Sequence, residues 1–168
     1  MSIWRAGLLT AALISASSPN FAHADTSRVV KSWRTEKGWL TELRQHENGA
    51  RVCATGKAFK DGHPFGLSIV KSGNVTLITL VDEGQPPVNG GKMVWSTDGQ
   101  SVGTLAVTAQ GPAFASTEPE SSKTWDLIRS LQPEILSIDV DGRKYLANLA
   151  GIELAREQLG NCEREAAS

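Results

Sequence analysis

The sequence has 168 residues, of which 40% are hydrophobic and 21% are charged, and its formal net charge at pH 7 is −1. Basic and acidic residues are interspersed, so the chain lacks the clustered positive charge with which proteins bind nucleic acids. The same balance disfavours an anionic membrane surface. We therefore expect neither nucleic acid nor such a membrane as a partner, and a chain of this length is sufficient for one domain with a sizeable core.

The N-terminus has the three parts of a secretory signal peptide. Arg5 supplies a positive charge, residues 6–16 are apolar, and Ala-His-Ala at 22–24 has the small-x-small pattern of a signal peptidase site. The apolar run is shorter than the roughly 20 residues that a transmembrane helix needs. We predict that residues 1–24 are removed after Ala24, that the mature domain is periplasmic or secreted, and that it does not insert into a membrane. An uncleaved anchor is the alternative.

The part from residue 28 to residue 116 is predicted to be a series of β-strands. Turn pairs such as Asn-Gly and Asp-Gly, which tolerate positive φ, recur between short runs of alternating polarity. Residues 74–81 are the most β-branched run and are predicted to be central, whereas 113–116 is predicted to be a short edge strand. The alternation over 39–46 is imperfect and leaves a short helix as an alternative. The predicted strands are 28–33, 39–46, 50–59, 66–70, 74–81, 92–95, 100–107 and 113–116.

The period of the apolar residues changes near residue 121. Ser121 or Ser122 can cap a helix, in which apolar residues recur at helical spacing until Pro133 ends it. Two alternating runs follow, at 135–140 and 144–149. They predict a hairpin, because the Asp-Gly pair between them tolerates the backbone of a tight primed turn.

A second helix is predicted over residues 150–159. Its apolar side chains are spaced for one buried face, and Gly160 is predicted to supply the left-handed residue that ends it. The polar tail after Cys162 is predicted to fray. Residues 121–162 therefore form a helix-hairpin-helix unit.

Cys53 and Cys162 are predicted to form a disulfide. They are the 2 cysteines of the sequence, and an even count behind a signal peptide is typical of an oxidising compartment. The bond would attach the C-terminal unit to the strand that contains Cys53. The predicted fold is α+β and mostly β, a single domain at 25–168 built as an antiparallel sandwich or a partly open barrel with two C-terminal helices flanking a hairpin.

Few residues are candidates for catalysis or metal binding. His63 lies in a predicted loop beside Asp61, so it can be drawn as a base that a carboxylate orients. No nucleophile motif accompanies it, and a surface histidine before a proline is the simpler interpretation. The cysteines and histidines lack the spacing of metal ligands, and the glycines do not form a phosphate-binding loop. We expect no catalytic residue, no metal and no cofactor.

Two further sets of residues deserve a functional interpretation. Asp139 and Asp141 alternate on the predicted hairpin, an arrangement suited to paired carboxylates or a weak cation site. Asp141 is better explained by the turn, and Asp139 by a solvated strand position. Tryptophans often anchor a partner, but in a small domain they are at least as often part of the core; Trp39, beside a turn, is the best candidate among them for an exposed position.

The stretch from Trp125 to Leu159 resembles the C-terminal part of the invasion-associated locus B-like family of bacterial exported proteins. It has a helix ending in LIRSL, a strand-turn-strand and then LAGIELAREQL, in which Leu149, Gly151 and Ala155 match the family's L-x-G-x-x-x-A arrangement. The family's members usually contain more cysteines. The resemblance implies a secreted or periplasmic β-rich domain with an envelope or host-interaction role and no known catalysis.

Two classes of function follow for this chain. The preferred one is a non-enzymatic binding domain whose partner is another envelope protein or a host protein. The alternative is a small periplasmic hydrolase that uses His63 with Asp61 and an unidentified serine. An enzyme should place His63 in a cleft where polar groups converge on it. A binding domain should instead show an exposed apolar patch or a long unpaired sheet edge.

Overall fold

The computed structural model describes residues 27–60, 63–82, 84–85, 89–116 and 120–168. The predicted signal peptide, its cleavage site and Asp61 lie outside these residues. Within them, no helix is both long and apolar enough to cross a membrane.

Ten strands and two helices make up the described part of the chain. The strands are β1 Arg28–Arg34, β2 Leu40–Gln45, β3 Arg51–Phe59, β4 Phe65–Ser72, β5 Val75–Val81, β6 Gly91–Thr97, β7 Gln100–Gln110, β8 Ala113–Ser116, β9 Ile135–Val140 and β10 Arg143–Asn148. The helices are α1 Glu120–Leu131 and α2 Ile152–Ala166. The fold is therefore mostly antiparallel β with two helices, as the sequence predicted.

The strands form one 10-stranded antiparallel sheet in the order β1-β2-β3-β4-β5-β8-β7-β6-β9-β10. The sheet curls around a core but is not closed, so β1 and β10 are its two edges. Of the two predicted architectures, the partly open barrel is therefore the one observed. Because β5 pairs with β8 rather than with β6, the chain that follows β5 must cross an end of the sheet before it enters β6.

Most of the core lies on the concave face of the sheet, and a smaller buried cluster of Val52, Ala54 and Val70 lies on the other face. Cross-strand pairs such as Ile69↔Ile78 and Leu80↔Phe114 place buried aliphatic and aromatic groups side by side. Burial alternates with period two along β9 and β10, whereas β3 and β8 are buried on both faces. From α1, Trp125 joins the larger cluster, so the helix covers part of the core that the strands leave open.

The predicted disulfide is present and attaches α2 to β3. Cys53 and Cys162 have Cα atoms 5.9 Å apart and are separated by 109 residues in sequence. Cys162 belongs to the buried face of α2, together with Ile152, Ala155 and Leu159. The bond thus joins the concave face of the sheet to the helix that packs on it.

The predicted end of α2 at Gly160 is wrong. The helix continues to Ala166, and the left-handed glycine is Gly151 at its N-terminal end, with φ 83. A glycine inside a helix costs about 1 kcal/mol relative to alanine. Burial of Leu159 and Cys162 on either side of Gly160 outweighs that cost, and the predicted fraying after Cys162 is wrong for the same reason.

Three other details differ from the sequence analysis. Strand β8 lies between β5 and β7 with all four side chains buried, so it is central rather than an edge. The first helix begins at Glu120, before either predicted cap residue. Trp39 is fully buried, and its Nε1 donates a hydrogen bond of 3.1 Å to the carbonyl of Ala150, because the C-terminal unit covers the start of β2.

Candidate functional site

The crossing after β5 places a carboxylate at one end of the sheet. Asp82 follows Val81 directly, and in the strand alternation it shares the concave face with Leu80. Its backbone N–H donates to the carbonyl of Pro112 at 2.9 Å, which anchors the start of the crossing to the β7–β8 turn. Asp82 is 0% exposed. A charged group this deeply buried requires hydrogen-bond partners.

Three donors from separate parts of the chain satisfy Asp82. Its Oδ2 accepts a hydrogen bond from the Tyr145 hydroxyl at 2.8 Å and lies 2.7 Å from Nε2 of His63. Its Oδ1 accepts the backbone N–H of Gln85 at 2.8 Å. Arg143 in turn donates to the carbonyl of Gln85 at 2.6 Å. We call His63, Asp82 and Tyr145 the Asp82 cluster; it ties the loop before β4, the end of β5 and β10 together.

Burial and hydrogen bonding act in opposite directions on the Asp82 carboxyl. Burial alone would raise its pKa, but the hydrogen bonds from His63, Tyr145 and the Gln85 N–H favour the charged form and hold the pKa below its ordinary value. At Tyr145, burial and the neighbouring carboxylate both disfavour the phenolate and raise the pKa to about 12. The cluster therefore contains an ionised carboxylate and a neutral phenol near pH 7.

Aromatic rings surround the cluster. Phe59 and Phe65 stack with their centroids 4.7 Å apart, and Phe65 meets the Tyr145 ring edge-on at 5.1 Å. The His63 ring lies 5.9 Å from that of Tyr145. This packing restricts the positions of the cluster's side chains and limits the access of water to Asp82.

The cluster has an acid–base pair but, in the described residues, no nucleophile bound to it. Asp82 can orient the His63 ring, as a carboxylate does in hydrolytic triads. No described serine, threonine or cysteine forms a hydrogen bond with His63, and the polar groups converge on Asp82 rather than on the histidine. His63 is thus not an isolated surface residue; its partner is Asp82, which is 19 residues away in sequence.

Strand β10, one edge of the sheet, is joined to the end of β3 by a side chain rather than by strand pairing. Strand β3 is paired with β2 only as far as Gly56, and the next residue, Lys57, donates to the carbonyl of Asn148, the last residue of β10, at 3.0 Å. Its Nζ lies 5.9 Å from the Trp39 ring centroid. Burial, together with the charge of Lys37, lowers the pKa of Lys57. These contacts hold the curled sheet together without completing the barrel.

The other edge of the sheet, β1, is far more open. Six of its seven side chains are exposed and that of Trp33 is half-buried. Val29 and Val30 are 45% and 46% exposed, which is unusual for two adjacent β-branched residues. Strand β2 pairs with one side of β1, and no described strand pairs with the other.

A second open feature is a groove between the two helices, with a volume of about 650 Å³. Its lining includes Trp125 and Arg129 from α1 and Leu154 and Arg156 from α2. Arg156 donates to Glu153 and to the carbonyl of Arg129, so part of its charge is neutralised. The groove is mixed in polarity and lies away from the Asp82 cluster.

No group of residues with the composition of a metal site occurs within the described ranges. Asp139 and Asp141, the predicted acidic pair, have different local roles. Asp139 Oδ1 accepts the backbone N–H of Gly142 at 2.9 Å, and Asp141 occupies the turn with φ 52. The Asp139 carboxylate and the Asp141 backbone thus both have a role in the β9–β10 turn.

Comparison with known proteins gave no match to a family model, to a curated protein or to a solved structure. The resemblance to the invasion-associated locus B-like family therefore stands on the residues quoted for it. The features that bear on function are the Asp82 cluster, the sheet edges and the exposed side chains.

Proposed function

We propose that this protein is a non-enzymatic binding domain of the periplasm or the secreted medium, and that its partner is another envelope protein or a host protein. The observation that carries the proposal is the open edge at β1. Strand β1 has seven residues, and one side of its backbone is unpaired by any described strand.

An unpaired strand edge is a template for a further strand. Proteins that do not use such an edge keep it short, cover it, place charged side chains on it or interrupt it with proline or a bulge. The positive charges of β1 disfavour a like-charged strand and do not disfavour an acidic one. Here the bulge between Val29 and Lys31 interrupts the first part of β1 only. The part from Lys31 to Arg34 pairs regularly with β2 and remains open on its other side, which favours recognition by strand addition.

Exposed apolar side chains near the opposite edge also favour a binding role. Leu146 on β10 and Ile135 at the start of β9 are 65% and 53% exposed. Leu131 at the end of α1 is exposed as well and lies only four residues before Ile135. Exposed aliphatic groups that occur together are typical of contact surfaces.

The disulfide and the family resemblance support the location and the type of role. A disulfide persists in oxidising compartments, in agreement with the signal peptide predicted at residues 1–24. The resemblance at Leu149, Gly151 and Ala155 implies an envelope or host-interaction role without catalysis.

One observation favours the alternative, a small periplasmic hydrolase. The 2.7 Å contact between His63 and the buried Asp82 would orient the imidazole as a general base, with Asp82 in the place of the Asp61 first considered. A serine or a water molecule would have to supply the nucleophile. In this alternative His63→Ala abolishes the function while the fold persists.

Site-directed photo-crosslinking in the producing cell distinguishes these two functions. A photoreactive amino acid at Val30 is compared with one at Thr104, an exposed position on β7 away from both edges. The binding role predicts a discrete adduct from Val30 that excess untagged protein abolishes, and none from Thr104. It also predicts that folded His63→Ala still complements a deletion strain. Absence of any competed adduct from Val30, with loss of complementation by His63→Ala, would contradict the proposal and favour the hydrolase.

A further inference from the structure

We propose that β1 binds an extended, acidic segment of a partner protein, which adds to the sheet as an eleventh strand beside the 10 present. This inference rests on the proposed binding function and specifies the site, the binding mode and the chemistry of the partner. It follows from the direction of the backbone groups, the charge of the strand and the composition of its two faces.

The hydrogen bonds of the β1–β2 hairpin reveal which backbone groups are free. The N–H of Thr35 donates to the carbonyl of Trp39 at 2.9 Å, so these two residues form a hydrogen-bonded pair. In an antiparallel ladder such pairs alternate with pairs whose N–H and C=O groups point away from each other. The register Arg34↔Leu40, Trp33↔Thr41 and Ser32↔Glu42 therefore directs the backbone groups of Ser32 and Arg34 to the free edge.

The charge of β1 selects an acidic partner. The strand contains Arg28, Lys31 and Arg34 and no acidic residue. Arg28 donates to a neutral acceptor, the side chain of Gln45, and Arg34 forms no ion pair with the described residues. Opposite charges on directly facing residues stabilise a strand pair, whereas like charges destabilise it. Carboxylates on the added strand would neutralise these arginines.

The same charges disfavour a second copy of this protein as the occupant. Two β1 strands side by side would bring their basic residues close together, and no register would provide an acidic partner for Arg28, Lys31 or Arg34. Charged residues on an edge strand are a common protection against self-association. The edge is thus closed to its own copy and open to a strand of opposite charge.

The two faces of β1 present different contacts to such a strand. On the concave face, Trp33 packs against the core, and Lys31 forms an exposed ion pair of 2.8 Å with Glu165 of α2. On the convex face, Ser32 and Arg34 have no such cover. An added strand with carboxylates on its convex side would therefore reach Arg34 directly, with its backbone paired to Ser32 and Arg34.

The test uses synthetic peptides and the full mature domain with its disulfide intact. A fluorescent heptapeptide that alternates glutamate with valine or threonine is titrated against the protein by anisotropy. The same peptide with lysine in place of glutamate is the charge control. The backbone controls are two N-methylated forms of the acidic peptide. One has N-methyl groups on the odd-numbered residues and the other on the even-numbered residues. We expect saturable binding of the acidic peptide and at least tenfold weaker binding of the lysine peptide. Of the two N-methylated peptides, the one whose methyl groups replace the N–H groups that face β1 should not bind.

Two variants of one residue complete the experiment. Ser32→Pro removes an N–H that points to the free edge and is not part of the β1–β2 ladder, so the fold should persist while binding falls at least tenfold. Ser32→Ala keeps the N–H and should bind like the wild type. Equal binding by the acidic and lysine peptides, or equal binding by the two N-methylated peptides, would overturn the inference even if Ser32→Pro failed to fold.

The two proposals fail in different ways. If the acidic peptide does not bind, while a photoreactive residue at Val30 still gives a competed adduct, the acidic-strand inference is wrong and the binding function stands. If the acidic peptide does not bind and Val30 gives no competed adduct, the acidic-strand inference and the binding function are both wrong.

Discussion

Asp82 is the residue on which the structure of the candidate site depends most. Its carboxylate is fully buried and is stabilised by His63, Tyr145 and the Gln85 N–H. Hydrogen bonds to charged groups contribute about 1.5–3 kcal/mol each, and a buried charge that loses a partner is costly. The cluster can thus stabilise the end of the sheet whether or not it takes part in chemistry.

The titration of Tyr145 tests the geometry of the cluster. This is the 1 tyrosine of the sequence, so the ultraviolet absorbance change of phenolate formation reports it alone. We expect a midpoint at about 12, above the ordinary value of about 10. In Asp82→Asn the neighbouring negative charge is absent, and the midpoint should fall. A wild-type midpoint near 10 in the folded protein would contradict the observed contact.

The stability of the protein should depend on pH through Asp82. Since the folded-state pKa of this carboxyl is lowered, its ionisation stabilises the fold above the unfolded-state pKa of about 3.9, and this contribution is lost as the pH falls through the folded-state value. Urea unfolding of the wild type and Asp82→Asn should give a difference in unfolding free energy that is constant above about pH 5 and shrinks below about pH 4. A difference that grows on acidification would contradict this assignment.

Of the three residues of the Asp82 cluster, the sequence indicates only His63 as a candidate. His63 was singled out, but its predicted partner was the adjacent Asp61, whereas the described contact is with Asp82. Nothing in local spacing indicates that contact, because it depends on where the chain turns after β5. The one available signal was an acidic residue directly after the most β-branched strand, where a charge at the end of a buried run requires a partner.

At the scale of elements, two glycines of the C-terminal unit offer a matched pair of substitutions. Gly151 has φ 83, and a Cβ there would lie 2.6 Å from the Cβ of Lys37, so Gly151→Ala should destabilise the fold by about 1–3 kcal/mol. Gly160 lies within α2 with no close neighbour, its nearest being an Arg164 side-chain atom at 3.8 Å. Gly160→Ala should stabilise the fold by about 0.5–1 kcal/mol. Chemical denaturation measures both changes in unfolding free energy. A stabilising Gly151→Ala together with a destabilising Gly160→Ala would contradict the observed start and end of α2.

The attachment of α2 depends strongly on the disulfide. The double variant Cys53→Ala/Cys162→Ala should lower the unfolding free energy by up to about 4.7 kcal/mol, the chain-entropy value for a loop of roughly 100 residues. The unfolding free energies of this variant and of the reduced wild type, measured with guanidinium, should be equal because both proteins lack the cross-link. Equal stability of the oxidised wild type and the double variant would show that the bond does not stabilise the fold.

The strands were more predictable than their arrangement in space. Turn pairs such as Asp141-Gly142 mark hairpins by local chemistry, so β9 and β10 were identified with bounds close to those observed. Strand β8 was predicted to be an edge because it is short, and its central position follows from pairing with β5, which precedes it by more than thirty residues. Such long-range pairing leaves no local pattern in the sequence.

At the scale of the whole molecule, the sheet curls far enough to enclose a core and stops short of closure. Lys57 of β3 donates to the carbonyl of Asn148 at the end of β10, and Trp39, just before β2, donates to that of Ala150, just after β10. Helix α2 is attached to β3 by the disulfide. At the other edge, no strand of the described residues pairs with the free side of β1. This asymmetry, with one edge bridged and the other open, is the basis of the binding role proposed here.

Amide hydrogen exchange in β1, measured by NMR with and without the acidic heptapeptide, tests this role most directly. In the free protein, the amides of Lys31 and Trp33 should be protected by the ladder with β2, while those of Ser32 and Arg34 should exchange rapidly. With saturating peptide, Ser32 and Arg34 should become protected and the other two should change little. Protection of Ser32 and Arg34 in the free protein, or no gain of protection at these amides with the peptide, would contradict the account.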